Sequence, residues 1–114
     1  MLDRIDKSGG KLVRDGIPQI IRSRGEVPEV RRAEPDEYHQ LLRNKLKEEV
    51  DEFLASEDPE ELADILEVVQ TLGADLGVDA AQLEELRAGK AAKRGGFRDR
   101  IVWHGNQTAL GAAS

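Results

Sequence analysis

The sequence predicts a mainly all-α fold, a helical bundle built on an antiparallel helix hairpin. Apolar residues recur at helical spacing over long stretches of the 114-residue chain. Aromatic residues make up only 4% of it, so the core must be built from Leu, Ile, Val and Ala side chains, which suits helices packing on helices. Short breaks between the periodic stretches imply antiparallel neighbours. Because two apolar stripes bury each other only in part, we expect dimerisation to complete the bundle.

The first third of the chain predicts short elements. Residues 1–10 are expected to be a flexible leader, because they end in a Gly-Gly break. In "KLVRDGIPQIIRSRG", Asp15 is predicted to cap a short helix that has Pro18 in its first turn and stops at Gly25. The valines and proline of "EVPEVRRA" predict an extended segment. Its "EVRR" part is the expected partner of "FRDRIVWH" in a short two-stranded β element.

The hairpin is predicted over 36–77. A long helix covers 36–55 and is broken by "SEDP". Asp58 is the expected N-cap of a second helix, with Pro59 at its first helical position. Gly77 is expected to end this helix.

A third helix is predicted from a cap at Asp79 to about Arg94, closed by a Gly-Gly pair. Phe97 and Trp103, which follow it, are expected to be core anchors of the small sheet. The predicted domain therefore spans 11–104, and residues 105–114 are expected to form a disordered tail.

Composition excludes several classes of protein. The net charge of −6 argues against a nucleic-acid polymer as partner. The absence of cysteine excludes disulfides and thiolate metal sites and fits a reducing compartment. No apolar run approaches the roughly 20 residues of a membrane span, and no N-terminal signal is recognised. We therefore expect a cytoplasmic protein.

Carboxylates are concentrated where the two hairpin helices meet. Residues 47–64, "KEEVDEFLASEDPEELAD", contain nine acidic residues. Glu49 projects into the apolar stripe of its helix, with Glu52 at the edge and Glu48 just outside it. Both Glu49 and Glu52, and Glu61 and Asp64, are spaced i, i+3, so each pair shares a helix face. An antiparallel hairpin places these carboxylates together at one end.

Carboxylates that converge in this way need a cation or bound protons to neutralise part of their negative charge. Two like charges about 6 Å apart repel by roughly 3 kcal/mol at an effective dielectric constant near 20. An all-oxygen ligand set without His or Cys favours Mg²⁺, with Mn²⁺ as the alternative. Mg²⁺ usually bridges to substrate phosphates.

The competing interpretation is a solvated helix face. Lys45 has acidic neighbours Glu48 and Glu49 at ion-pair spacing, and Lys47 has Asp51. The position of Glu49 on the apolar stripe favours the metal site, because a solubilising charge does not belong there.

The spacing Glu48-Glu49-x-x-Glu52 followed by Glu61-x-x-Asp64 resembles the EExxE…ExxD signature of the all-α NTP pyrophosphatase superfamily, which includes MazG-like enzymes. "KLVRDGIP", "EELADILEVV" and "KRGGF" are similar to segments of its phosphoribosyl-ATP pyrophosphohydrolase-like, house-cleaning branch. The likeness covers roughly residues 11–103.

The resemblance implies Mg²⁺-dependent hydrolysis of a nucleoside triphosphate between its α and β phosphates, giving a monophosphate and pyrophosphate. Its metal ligands would be Glu49, Glu52, Glu61 and Asp64. Glu48 and Glu49 would be the catalytic carboxylates, with Glu48 as a further ligand or as the residue that positions the attacking water.

The predicted phosphate-binding residues are basic and lie near both ends of the domain: Lys11, Arg14, Lys93 and Arg94. Basic residues at the end of a helix also interact favourably with its dipole, which is the alternative role of the last two. The expected assembly is a homodimer or a dimer of dimers.

Two rival functions share these features. One is phosphoribosyl-ATP pyrophosphatase of histidine biosynthesis, whose substrate also carries a triphosphate. The other is a non-catalytic dimeric helical module in which the carboxylates hold a structural divalent ion.

Overall fold

The computed structural model describes residues 9–108, which divide into two compact units, 9–83 and 84–108. Four helices account for the regular structure: α1 (Ile17–Ser23), α2 (Pro35–Ser56), α3 (Pro59–Asp75) and α4 (Ala80–Arg94). This confirms the predicted helical fold class. The predicted leader and tail lie largely outside the described residues, and the single domain over 11–104 stays a prediction.

Helix α1 is the predicted short helix, but its cap differs. Its N-cap residue is Gly16, and no side chain makes a capping hydrogen bond there. The prediction that Asp15 caps this helix is therefore wrong, because the helix begins one residue later than an Asp15 cap requires. Pro18 lies in the first turn as expected, and Gly25 follows the helix with φ +86°.

Helices α2 and α3 begin where the sequence predicts. Each has a proline in its first turn, and Asp58 Oδ1 accepts a hydrogen bond from the Glu60 amide at 2.9 Å. This cap satisfies one of the amides that a helix N-terminus leaves without a partner. Glu57 links the helices in the left-handed conformation, with φ 55°.

The two long helices pack against each other in antiparallel orientation. The His39 ring, near the start of α2, forms a hydrogen bond with Asp75, the last residue of α3, with 2.6 Å between Nδ1 and Oδ2. At the other end of the pair, Glu49 of α2 lies close to Asp64 of α3. Residues early in one helix thus meet residues late in the other, as predicted for the hairpin.

Helix α4 begins with reciprocal capping. Asp79 Oδ1 accepts from the Gln82 amide at 2.8 Å, and Gln82 Oε1 accepts from the Asp79 amide at 2.9 Å. This is a capping box, and it confirms the predicted start of the third helix of the sequence analysis.

The core of the chain is small. Only Leu42 and Val68 are buried hydrophobic residues among those described. The outer part of the hairpin stripe stays exposed at Leu54, Leu62 and Leu66, which are 68%, 49% and 56% accessible. The expectation that the two stripes bury each other only in part is confirmed.

The predicted β element is not confirmed. Neither 26–33 nor 97–104 is a strand, and no strand occurs within 9–108. Phe97 and Trp103 are 98% and 77% accessible, so the prediction that they anchor a core is wrong. The Trp103 indole nitrogen instead donates a hydrogen bond to Asn106. With no strand to align 97–104, its apolar residues gain no common packing surface.

No helix within the described part of the chain combines the length and the apolar character that crossing a bilayer requires.

The cap of α3 provides a test of the hairpin. We expect Asp58→Ala to lower the free energy of unfolding by about 1 kcal/mol, because the Glu60 amide loses its acceptor. Asp58→Asn keeps an acceptor and should stay within a few tenths of a kcal/mol of the original protein. Urea denaturation measures both, and equal losses in the two variants would contradict the capping role.

Candidate metal centre

Three carboxylates from the two hairpin helices converge at the end near their connection. One oxygen each of Glu49, Glu61 and Asp64 lies within 4.8 Å of the others. Glu61 and Asp64 occupy successive turns of the same face of α3, and the short connection brings Glu49 of α2 next to them. The prediction that carboxylates of neighbouring antiparallel helices meet is confirmed for these three.

Glu49 is the unusual member of this cluster. It is only 7% accessible, and its Oε2 is buried without a hydrogen-bond partner among the described residues. Its Oε1 lies 3.4 Å from the Lys45 ammonium. A buried acceptor that is left unpaired costs about 1–3 kcal/mol, and more if it is charged. A cation beside Oε2 would remove this cost.

The donor set fits a hard divalent cation. Glu49, Glu61 and Asp64 offer only carboxylate oxygens, the ligand type that Mg²⁺ and Mn²⁺ prefer. The Oε2 of Glu49, which has no hydrogen-bond donor within residues 9–108, provides an acceptor for a cation. The residues present therefore suit the predicted Mg²⁺, with Mn²⁺ as the alternative.

The surroundings shift two of these carboxyl groups toward the protonated form. Burial raises the pKa of Glu49, and repulsion from Glu52 and Asp64 adds to this, although Lys45 opposes the shift. Partial burial likewise raises the pKa of Glu61, together with repulsion from Glu52, Asp64 and Glu49. Desolvation and mutual repulsion thus both disfavour the ionised forms of Glu49 and Glu61.

Two basic residues of the N-terminal segment reach the same end of the hairpin. Arg14 donates to Asp64 Oδ1 at 2.6 Å, and Lys11 donates to Glu48 Oε1 at 3.1 Å. Lys45 donates to the other oxygen of Glu48 at 2.9 Å. Hydrogen bonds from Lys45 and Lys11 lower the pKa of Glu48, which therefore stays ionised beside neighbours that favour protonation.

The convergence borders a cavity of about 310 Å³. Residues 12–15 line it together with α2 and α3, and Leu42 and Val68 give it an apolar part. Its charged lining includes Arg14, Lys45 and the carboxylates of Glu49 and Asp64. A ligand here would meet cationic groups and carboxylates side by side, as a phosphate ester held through a divalent ion requires.

Not every residue of the predicted site joins this cluster. Glu52 is outside the three carboxylates that meet within 4.8 Å, although its charge raises the pKa of Glu49 and Glu61. Lys93 and Arg94 lie in the last turn of α4, within the second unit. The roles assigned to these residues stay predictions.

The sequence predicts Lys45 only as the partner of Glu48 or Glu49 in an ion pair on a solvated helix face. The structure places its ammonium against both Glu48 and Glu49, with a side chain 19% accessible. Its spacing of i−3 and i−4 from these residues was the available signal. The same spacing occurs on solvated helices, so it could not identify a buried contact.

Comparison with known proteins adds one relative. The chain is 47% identical over 47 residues to an uncharacterized protein of Mycolicibacterium smegmatis. The match covers 41% of this chain and 48% of the relative, so it spans about half the length of that protein. No family model matches the chain, and no solved structure matches it. The resemblance to the NTP pyrophosphatases therefore stays a prediction.

The raised pKa of Glu49 predicts a pH-dependent stability in the absence of metal. A carboxyl group whose pKa is higher in the folded state stabilises the fold below its ordinary value of 4.5, and this contribution is lost as the pH rises through the folded pKa. Glu49→Gln cannot ionise. We therefore expect this variant to gain stability relative to the original protein as the pH rises from about 4.5 to about 8 in EDTA.

Glu48→Gln is the matched control, because the pKa of Glu48 is lowered and its contribution is present only above its ordinary value. From about pH 4.5 to about 8 this variant should keep a nearly constant stability deficit relative to the original protein, and the deficit should shrink as the pH falls below about 4.5 toward the lowered pKa of Glu48. Urea unfolding at several pH values measures both differences. If the stability of Glu49→Gln relative to the original protein stays flat or falls as the pH rises, the raised pKa of Glu49 is contradicted.

Proposed function

We propose that the protein is a Mg²⁺-dependent nucleoside triphosphate pyrophosphohydrolase that cleaves between the α and β phosphates and removes non-canonical nucleotides in the cytoplasm. The observation that carries this proposal is the buried, unpartnered Oε2 of Glu49 beside Glu61 and Asp64 at a cavity that Arg14 also lines. The motifs that resemble the all-α NTP pyrophosphatases support the same activity.

The carboxylates have distinct roles in this proposal. Glu49, Glu61 and Asp64 hold the divalent cation, with Glu52 as a fourth carboxylate near them. A bound Mg²⁺ supplies charge neutralisation and Lewis-acid polarisation of phosphate oxygens. The positive charge of the cation offsets the repulsion among these carboxylates.

Glu48 is suited to orient the attacking water. Lys11 and Lys45 hold one oxygen each of its carboxylate, at 3.1 and 2.9 Å, so its position is fixed from two sides. Its lowered pKa keeps it ionised and therefore an acceptor for a water proton. An ionised, oriented acceptor places the water without having to be a strong base.

The basic residues of the N-terminal segment are suited to bind phosphate. Arg14 pairs with Asp64, and Lys11 with Glu48, in the chain without substrate. Once a divalent cation neutralises Asp64, Arg14 is better satisfied by phosphate oxygens, to which Arg binds in bidentate fashion, whereas Lys11 has three donors and can bind a phosphate oxygen while it still holds Glu48.

A rival function, a non-catalytic module with a structural divalent ion, is favoured by one observation. The buried core is limited to few residues and the hairpin stripe is exposed, so a cation at the carboxylates would add stability that the chain needs. Binding of Mg²⁺ without turnover of any nucleotide would identify this function.

The catalytic proposal is tested by pyrophosphate release from a panel of canonical and modified nucleoside triphosphates and phosphoribosyl-ATP. We expect turnover only when Mg²⁺ or Mn²⁺ is added. Glu49→Gln and Asp64→Asn should each lower kcat/KM by at least about 100-fold, because each removes a ligand of the cation.

Asp51→Asn is the matched control for these variants. It removes one carboxylate charge from α2 at an exposed position that pairs with Lys47, and it should leave turnover unchanged. If all three variants hydrolyse nucleotides at the original rate, the carboxylate cluster is not the active site. Preference within the panel separates a house-cleaning enzyme from phosphoribosyl-ATP pyrophosphatase.

We also propose that a second copy of the chain covers the exposed hairpin stripe, in a homodimer or a dimer of dimers. Leu54 of α2 and Leu62 and Leu66 of α3 are each about half exposed or more. Large apolar side chains left exposed on both helices of a hairpin favour a protein interface there.

This assembly predicts that Leu66→Asp yields a monomer. Light scattering after size exclusion should give at least twice the 12.6 kDa of one chain for the original protein and one chain for the variant. Val27→Asp, at a position 86% exposed outside the hairpin, should keep the original mass. A monomeric original protein would contradict the proposed interface.

A further inference from the structure

A second cavity adjoins the one at the carboxylates. Its volume is about 960 Å³, and it shares residues 12–15 and Tyr38 with the smaller cavity as common lining. Arg14 therefore lines both. The shared lining places the larger cavity next to the carboxylate cluster.

The larger cavity is strongly basic. Five cationic side chains line it against two acidic ones, Asp15 and Glu29, in a chain whose net charge is −6. The cations come from three separate segments: Lys11, Arg14, Arg22, Arg31 and Arg32. Their convergence concentrates positive potential where the rest of the chain is acidic, and such a cavity attracts anions.

The cations differ in what they contact. Lys11 and Arg14 reach the carboxylate end, and Arg31 forms an ion pair with Glu37, with 2.8 Å between Nη1 and Oε1. Arg22 and Arg32 make no ion pair within residues 9–108. Guanidinium groups bind phosphate oxygens in bidentate fashion, so two arginines in the lining of one cavity favour a phosphate ligand.

We propose that this basic cavity is the subsite for the β and γ phosphates of the substrate, and that Arg22 and Arg32 bind the pyrophosphate group. This inference rests on the proposed function, which sets the α-phosphate at the carboxylate cluster. Arg14, common to both cavities, then lies where the scissile bond crosses from one to the other.

The subsite explains how the leaving group is stabilised. Water forms a bond to the α-phosphorus, the bond from that phosphorus to the bridging oxygen breaks, and its electron pair leaves with pyrophosphate. The two protons of the water pass to the products and the solvent. Negative charge thus grows on the pyrophosphate side, where fixed guanidinium groups stabilise it. A diphosphate would place only one phosphate there and would gain less.

The binding test uses pyrophosphate alone, by isothermal titration calorimetry without divalent cations. The double variant Arg22→Gln/Arg32→Gln should bind pyrophosphate about tenfold more weakly or worse, because two charge-assisted contacts are lost. Arg24→Gln/Arg43→Gln removes the same charge at exposed positions outside both cavities and should bind like the original protein. Circular dichroism confirms that both variants keep their helices.

The kinetic test uses the same variants. Arg22→Gln/Arg32→Gln should raise KM for nucleoside triphosphates, weaken inhibition by pyrophosphate, and reduce the preference for triphosphates over diphosphates. The control pair should change none of these. Original-level pyrophosphate affinity and inhibition in Arg22→Gln/Arg32→Gln would overturn the inference while hydrolysis itself stands.

The two proposals fail in different ways. If the original protein hydrolyses no nucleotide but binds pyrophosphate through Arg22 and Arg32, the subsite stands as a pyrophosphate site and the hydrolase proposal falls. If the original protein does not bind pyrophosphate at all, the subsite itself is refuted, whatever the hydrolysis assay shows.

Discussion

Repulsion among Glu49, Glu61 and Asp64 is the interaction around which the hairpin and the N-terminal segment are arranged. Like charges about 6 Å apart cost roughly 3 kcal/mol per pair at an effective dielectric constant near 20. That is a large fraction of the 5–15 kcal/mol that holds a domain folded. The repulsion contributes to the raised pKa values of Glu49 and Glu61, and the cationic side chains of Arg14 and Lys45 offset part of it. None of these reaches Glu49 Oε2, which has no partner among the described residues.

The same electrostatics ties the N-terminal segment to the hairpin. Arg14 and Lys11 bridge to Asp64 and Glu48 across 50 and 37 residues of sequence. These ion pairs are partly exposed, so each contributes little stability by itself. Their main effect is to position basic groups beside the carboxylates and in the lining of the two cavities. A phosphate ligand with its divalent cation would satisfy both sets of charges at once.

The features that the sequence predicts correctly are those that depend on interactions between residues close together in the chain. The helical period, the cap at Asp58 and the proline after it fixed α3, and the start of α4 followed from the cap at Asp79. Glu49 was recognised as a charge on an apolar stripe from its wheel position alone, and it is buried. Such features depend on neighbours three or four residues away, which the sequence displays directly. The failure at Asp15 is also local, since a shift of one residue moves the cap to Gly16.

The helical segments and the crowding of carboxylates at one end of the α2–α3 hairpin are readable from the sequence alone. The packing of the two helices brings one oxygen each of Glu49, Glu61 and Asp64 within 4.8 Å of one another, a group that the sequence does not single out from Glu48 and Glu52. Tertiary packing likewise sets which arginines from separate segments line one cavity and leaves Phe97 exposed. Periodicity assigns a side chain to a face of its own helix. Contacts between segments depend on how those faces are rotated and where the connecting chain runs, which no local pattern encodes.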